Sequence, residues 1–228
     1  MLNFSKKEIE KVEKVLSEFE MLETKSEYEI LRCKKGVDTV TLYSSGKLLI
    51  QGPRAEQSKE EILGKLGFES ELVFGIDETG RGERTGPMVV AGVLGDKNQL
   101  RELRDSKKIK DISKRAEIVS RNSLMQASIA FNAEFIDLLR EKGINLNQIE
   151  GITMNKLIEL VEGLGLDKET SIRIDGKPLK EVKSRKAEFI VKGDDLDPVI
   201  GSASVIAKKT RNESKDLKER KTWKTESG

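Results

Sequence analysis

Residues 75–95 read GIDETGRGERTGPMVVAGVLG, and the way this stretch is built decides what kind of fold surrounds it. Asp77 and Glu78 close an apolar strand that begins at "LVFGID". A turn carrying Gly80, Arg81, Gly82 and Gly86 follows, and "MVVAGV" then resumes an apolar, β-branched run. A dinucleotide-binding fingerprint needs G-x-G-x-x-G opening a helix. Here the third glycine comes one residue late, and Pro87 and a strand follow it. A P-loop needs Gly-Lys-Ser or Gly-Lys-Thr, and neither occurs. The turn therefore joins two strands. Its backbone can still approach a phosphate closely, because glycine has no Cβ, and Arg81 adds a hydrogen-bonding fork. Taken alone, the glycines favour a plain hairpin turn with solvated charges.

Composition narrows the chemistry. The chain has 228 residues, room for one large domain or two unequal ones. Cys33 is the single cysteine, which excludes an intrachain disulfide and cysteine-pair zinc sites. Histidine is absent, which excludes Ser-His-Asp triads and histidine metal sites. Hydrolysis would have to use carboxylates, lysines or hydroxyls, and the many acids favour hard cations such as Mg²⁺ or Mn²⁺. Charged residues make up 36% of the chain, yet the net charge is only +2. That mixture suits an ion-pair-rich surface of the thermophile kind, and nucleic-acid binding would need a local basic face. No apolar run reaches the roughly 18 residues of a membrane span. The charged N-terminus lacks the apolar core of a signal peptide. A cytoplasmic protein is expected, with no membrane partner.

From the N-terminus, residues 5–20 predict a helix, with a capping box of Ser5 and Glu8 and an apolar face of Ile9, Val12, Leu16 and Phe19. "EYEILRC" is a strand, and "DTVTLYSSGKLLIQG" a hairpin turning at Ser44-Ser45-Gly46. Val40 and Leu42 face one way, with Leu48 and Ile50 as partners. Thr39, Thr41, Tyr43, Lys47, Leu49 and Gln51 line the other face. A second helix is expected in "EQSKEEILGKLGF", capped by Ser58 with Glu61. Residues 1–66 thus form a small α+β unit, with a linker at 67–71. From Leu72 the nearly continuous apolar strands suggest a sheet covered on both faces. "SLMQASIAFNA", "IRID" and "EFIVKG" supply further strands. Helices are expected at 97–104, 111–121, 134–142, 146–164 and 198–218. The basic end "AKKTRNESKDLKERKTWKTESG" is expected to finish as a loose tail.

Asp77 and Asp175 close strands and Asp194 follows one directly, each within two residues of a glycine. Such positions are costly for a carboxylate without a compensating cation. If the strands are neighbours, Asp77, Glu78, Asp175 and Asp194 converge and hold two divalent ions about 3.5–4 Å apart, an arrangement suited to phosphoryl chemistry. Asp195 and Asp197 lie close to Asp194, so the fourth ligand stays open at this point. For any one of these acids alone a solvated loop position is the stronger reading; for all of them together it is the weaker one. Ser106, Lys107 and Lys108 in "RDSKKIKD" favour phosphate. So does the small-residue face of "PVIGSASVIAKKTR", which also carries Lys208 and Arg211. The same segments would serve as a charged loop and a closely packed helix.

Together "GIDETGRG", "GPMVVAGV", "DSKK", "RIDG" and "VKGDD…PVIGSASVIAKKTR" resemble, in order, the type 2 ribonuclease H family over residues 75–211. The resemblance implies an α/β ribonuclease H-like fold, a mixed five-stranded sheet flanked by helices, over 72–228. It implies Mg²⁺- or Mn²⁺-dependent cleavage of the RNA strand of RNA/DNA hybrids. Asp77, Glu78, Asp175 and Asp194 look like the catalytic and metal-binding set. Gly80, Arg81 and Gly82 look like the turn that holds the scissile phosphate and senses the ribose 2′-OH, and Ser106 and Lys107 like phosphate contacts. The unit at 1–66 is similar to the N-terminal domain of ribonuclease HIII, itself resembling half of the TATA-binding protein. Its face of Thr41, Tyr43, Lys47 and Gln51 would then meet the substrate.

Arg81 in Gly-Arg-Gly is typical of the ribonuclease HII branch, which implies cleavage at single ribonucleotides embedded in DNA as an alternative. The junction-reading C-terminal tyrosine of that branch has no counterpart, because Tyr28 and Tyr43 both lie in the N-terminal unit. The chain also stops soon after the "KKTR" helix, where family members continue with further helical structure. The expected reaction is two-metal hydrolysis giving 5′-phosphate and 3′-hydroxyl ends, by a monomer with no obligate protein partner. A hybrid-binding module without catalysis and a nucleotide-dependent transferase are the rival readings.

Overall fold

The computed structural model describes residues 2–4, 6–67, 70–102, 111–166 and 168–226. They fall into two compact units that divide between Ser70 and Glu71.

The first unit runs β1 (Leu2–Asn3), α1 (Lys6–Leu16), β2 (Glu20–Leu22), β3 (Glu29–Lys35), β4 (Asp38–Tyr43), β5 (Lys47–Gln51) and α2 (Ala55–Lys65). Its strands form one antiparallel sheet in the order β1-β5-β4-β3-β2. Val40 stands opposite Ile50, and Leu42 opposite Leu48, as the alternation predicts. With Leu31 and Cys33 they pack against Val12 and Leu16 of α1 and Ile62 of α2. The hairpin turns at Gly46, whose N–H donates to Tyr43 O at 2.8 Å.

Two helix starts differ from expectation or lie beyond view. Ser5 is outside the described residues, so the capping box it would form with Glu8 has no placement. The second helix begins at Ala55, three residues before the expected cap, and its N-cap Arg54 makes no side-chain cap bond. Ser58 lies inside the helix and donates its hydroxyl to Asp38 Oδ2 at 2.6 Å. Asp38 Oδ1 also accepts the Arg54 N–H at 3.0 Å. A buried acid from the preceding sheet satisfies the helix start, and Ser-x-x-Glu spacing carries no trace of that. The linker expected at 67–71 includes residues 68 and 69, which are not described.

The second unit contains β6 (Leu72–Thr79), β7 (Met88–Asp96), a 3₁₀ turn (Gln99–Glu102), α3 (Ile112–Asn122), β8 (Met125–Phe131), α4 (Ala133–Glu141) and α5 (Leu146–Gly163). It continues with β9 (Thr170–Asp175), β10 (Ala187–Ile190), a short α6 (Gly193–Leu196), α7 (Pro198–Glu213) and a final 3₁₀ turn (Lys221–Glu226). The sheet is mixed and five-stranded, in the order β10-β9-β6-β7-β8. β10, β9 and β6 are parallel, and β6, β7 and β8 antiparallel.

Both faces are covered, which accounts for the continuous apolar strands. Val73, Val89, Ala91 and Val93 pack on α3 and α7. Phe74, Ile76, Val90, Leu94, Ile172 and Ile174 pack on Met154, Leu157, Ile158 and Val161 of α5. Gly75 sets the spacing to α7, since a Cβ there would lie 2.6 Å from the Ile200 nitrogen.

Of the helix expected at 97–104, the described part is the 3₁₀ turn. The last long helix ends at Glu213, short of 218, where Ser214 turns extended. The expected loose tail is instead a strap. Gly86 N–H donates to Lys218 O, Arg220 N–H donates to Arg84 O, and Asp137 Oδ2 accepts the Lys221 N–H. A lysine-rich segment without periodicity shows none of these pairings in its sequence.

Candidate active site

β6 and β9 lie side by side with Ile76 level with Ile174, so Asp77 and Asp175 emerge together at the carboxyl end of the sheet. Oxygens of Asp77, Glu78 and Asp175 lie within 4.8 Å of one another. Strand alternation assigns them to two faces. Asp77 follows Val73 and Gly75 on the α7 side, where it hydrogen-bonds Ser204. Glu78 follows Phe74 and Ile76 toward α5. Crevices at the carboxyl ends of strands are the usual ligand sites of open α/β sheets.

Asp77 is only 5% exposed. Burial, and then the neighbouring Glu78 and Asp175 carboxylates, push its pKa well above the usual carboxylate range, although the Ser204 bond pulls the other way. Burial and Asp175 raise Glu78 in the same direction. Among the described residues, no ion pair involves the three acids. Three hard oxygen donors, one buried and short of positive charge, fit a divalent cation. Behind them, Lys208 Nζ donates to Ser204 Oγ at 2.8 Å.

Asp194 is placed differently from expectation. Lys192 adopts a left-handed conformation (φ 59°) and turns the chain into α6, so Asp194 sits in a helical turn and not at a strand end. Asp175 Oδ1 accepts the Gly193 N–H at 2.5 Å. The Asp194 carboxyl is outside the three-acid group, and its charge acts on Arg115 of α3. Asp197 is committed to the fold. It caps α7 through Val199 N–H and binds Arg173 at 2.7 Å. Asp195 is exposed.

The glycine turn divides by role. Gly80 (φ +77°) and Gly86 (φ +76°) need left-handed conformations, and a Cβ on Gly80 would meet Pro87 O at 2.3 Å. Gly82 faces open space. Arg81 reaches α5, where its guanidinium donates to Asn147 Oδ1, and its Nε lies 3.2 Å from Glu150 Oε2. Burial above all, and then Glu78, raise the Glu150 pKa to about 7. Ser106 and Lys107 fall outside the described residues. Tyr43 and Lys47 are half-buried in the first unit, at the end of β4 and the start of β5.

Sequence reading passed over Glu150, Asn147 and Arg220, and valued Ser204 only for its size. One signal was available. Glu150 interrupts the stripe Leu146, Ile149, Thr153 and Leu157, where an acid has no packing reason to be.

The family model described as Ribonuclease HII matches residues 74–228. The chain belongs to the ribonuclease HII family. A second model, described as a domain of unknown function (DUF3378), matches residues 1–64. Ribonuclease HII of Xylella fastidiosa is 34% identical over 160 residues, 68% of this chain and 64% of that protein. Ribonuclease HII of Bartonella henselae is 32% identical over 152 residues, 66% of this chain and 64% of its own. The chain therefore spans about 64% of the length of these curated relatives.

Among solved structures, Aquifex aeolicus RNase H3 superposes with a TM-score of 0.51 at 24% identity, covering 93% of this chain and 84% of that one. Bst-RNase HIII in complex with Mn²⁺ gives 0.56 at 19%, covering 93% and 80%. These two support the fold alone. The RNase HII of the Archaeoglobus fulgidus PCNA:RNase HII complex gives 0.52 at 28%, covering 62% and 73%.

Proposed function

We propose that the protein is an endoribonuclease that cuts the RNA strand of RNA/DNA hybrids, leaving 5′-phosphate and 3′-hydroxyl ends. The observation that carries this reading is the meeting of Asp77, Glu78 and Asp175 at the ends of adjacent strands in a ribonuclease HII family chain. These three, with Asp194 as the fourth acid, would hold two Mg²⁺ or Mn²⁺ ions. Bound there, the ions supply an activated water and neutralise charge on the leaving 3′-oxygen. The all-oxygen donor set of the three acids supports the choice of a hard divalent metal.

The remaining roles belong to the chain. Ser204 holds the Asp77 carboxyl in place, and the Gly193 N–H does the same for Asp175. Gly80, Arg81 and Gly82 contact the scissile phosphate and the ribose 2′-OH, the group that separates RNA from DNA. Ser106 and Lys107 contact a neighbouring phosphate. Residues 1–66 form a separate substrate-binding domain that grips the hybrid through the β4–β5 face, with Tyr43 and Lys47, and 72–228 form the catalytic domain. Arg81 and the identity to ribonuclease HII relatives favour a second reading, in which single ribonucleotides embedded in DNA are also cut.

Two labelled duplexes test this, a continuous RNA/DNA hybrid and a DNA duplex holding one ribonucleotide, each with Mg²⁺, Mn²⁺ or EDTA. Metal-dependent cutting of the hybrid alone supports the first reading, and cutting of both adds the second. Binding without cutting in either metal would leave a hybrid-binding module.

A further inference from the structure

We infer that Arg220, on the C-terminal strap, is the positioning residue that orients the backbone of the Gly80–Arg81–Gly82 turn toward substrate. Arg220 is 2% exposed. Its Nη2 donates to Gly80 O at 2.7 Å and to Gly86 O at 2.9 Å, its Nη1 to Arg81 O at 3.2 Å, and its Nε to Gly86 O at 3.1 Å. A buried guanidinium is tolerated only when its donors are satisfied. Here three carbonyls of one turn satisfy them. From α7, Arg211 holds Thr85 O and Pro87 O at 3.2 Å each.

Peptide planarity turns this grip into an orientation. In a trans peptide the N–H of one residue points opposite to the carbonyl of the residue before it. Drawing Gly80 O and Arg81 O toward Arg220 therefore aims the Arg81 and Gly82 N–H groups away from the strap. Among the described residues, neither N–H has a hydrogen-bond partner. Gly82 opens onto empty space. Two aligned, unspent N–H groups are donors for a phosphate oxygen. The strap is itself pinned at a second point. Asp137 of α4 accepts from Lys221 N–H at 2.9 Å, Thr222 N–H at 3.0 Å and the Thr222 hydroxyl at 2.6 Å.

The inference rests on reading the turn as a substrate contact, so the test includes Arg81→Ala. KM and kcat are measured on a labelled RNA/DNA hybrid with Mg²⁺ for the wild type, Arg81→Ala, Arg220→Gln, Arg220→Lys and Asp137→Ala. Trp223, the only tryptophan, lies on the strap and reports its docking by fluorescence. Arg220→Gln should raise KM about tenfold while changing kcat less than threefold, with Arg220→Lys in between. Asp137→Ala should red-shift the Trp223 emission and raise KM in step, with the Arg220 side chain and the turn residues themselves left unsubstituted.

Should Arg220→Gln not melt cooperatively, Arg220→Lys and Asp137→Ala decide by the same two readouts. A red-shifted Trp223 with wild-type KM would overturn the inference. So would a folded Arg220→Gln with wild-type KM beside an Arg81→Ala whose KM has risen. An unchanged KM in both Arg81→Ala and Arg220→Gln would also overturn the inference, since the turn would bind substrate as well without the grip of Arg220.

Discussion

At the scale of single residues, Asp77 and Glu150 carry charge where it is least tolerated. Folding raises the pKa of Asp77 because burial and two neighbouring carboxylates oppose ionisation. Without metal, its negative charge at neutral pH is a cost. Asp77→Asn should therefore melt at or above the wild-type temperature in EDTA, lose the stabilisation that Mn²⁺ confers on the wild type, and abolish cleavage while hybrid binding persists. Calorimetry with and without Mn²⁺ checks the first two, and an Asp77→Asn protein that still gains from Mn²⁺ as the wild type does would remove Asp77 from the ligand set. Glu150 has a folded pKa of about 7 against an ordinary 4.5. A raised carboxyl pKa means that folding favours the protonated form. Its stabilisation is complete below pH 4.5 and is lost as pH rises through 7, at most about 3 kcal/mol from this one group. Urea unfolding without metal should show that decline, and Glu150→Gln should flatten it. Equal slopes for the two proteins would rule the assignment out.

At the scale of elements, the site depends on how closely α7 approaches β6. Ser204 reaches Asp77 because Gly75 lets the start of the helix lie against the strand. Gly75→Ala should cost roughly 1–3 kcal/mol, the usual penalty for overpacking, and should lower activity at temperatures where the variant is still folded. A variant with wild-type stability would show that the helix can shift without loss. The strand pairs were legible, because Val40, Leu42, Leu48 and Ile50 alternate with period two and find one another across the sheet. The start of α2 was not, because its partner Asp38 comes from a different element.

At the scale of the whole chain, two units divide the proposed labour. Removing residues 1–66 should weaken binding of an RNA/DNA hybrid at least tenfold and leave saturated turnover within about threefold. The difference should shrink as salt rises, because phosphate contacts made through basic residues are salt-dependent. Anisotropy titrations at two ionic strengths, with single-turnover rates alongside, measure both. An unaltered affinity would count against the N-terminal grip.

The strand-end acids and the layer order were readable from the chain alone. The absence of histidine, the acids that follow apolar strands, and strands apolar on both faces pointed to carboxylate chemistry on a covered sheet. Each of these is a local property of residue type and spacing. The position of Asp194 in a helical turn, the hold of α5 on Arg81 through Asn147 and Glu150, and the docking of Arg220 under the glycine turn were not readable. The first turns on the left-handed backbone of Lys192, and the other two join residues far apart in the chain whose hydrogen-bonding capacity is general. Lysines and arginines in a polar segment look alike until folding supplies the carbonyls that only one of them can reach.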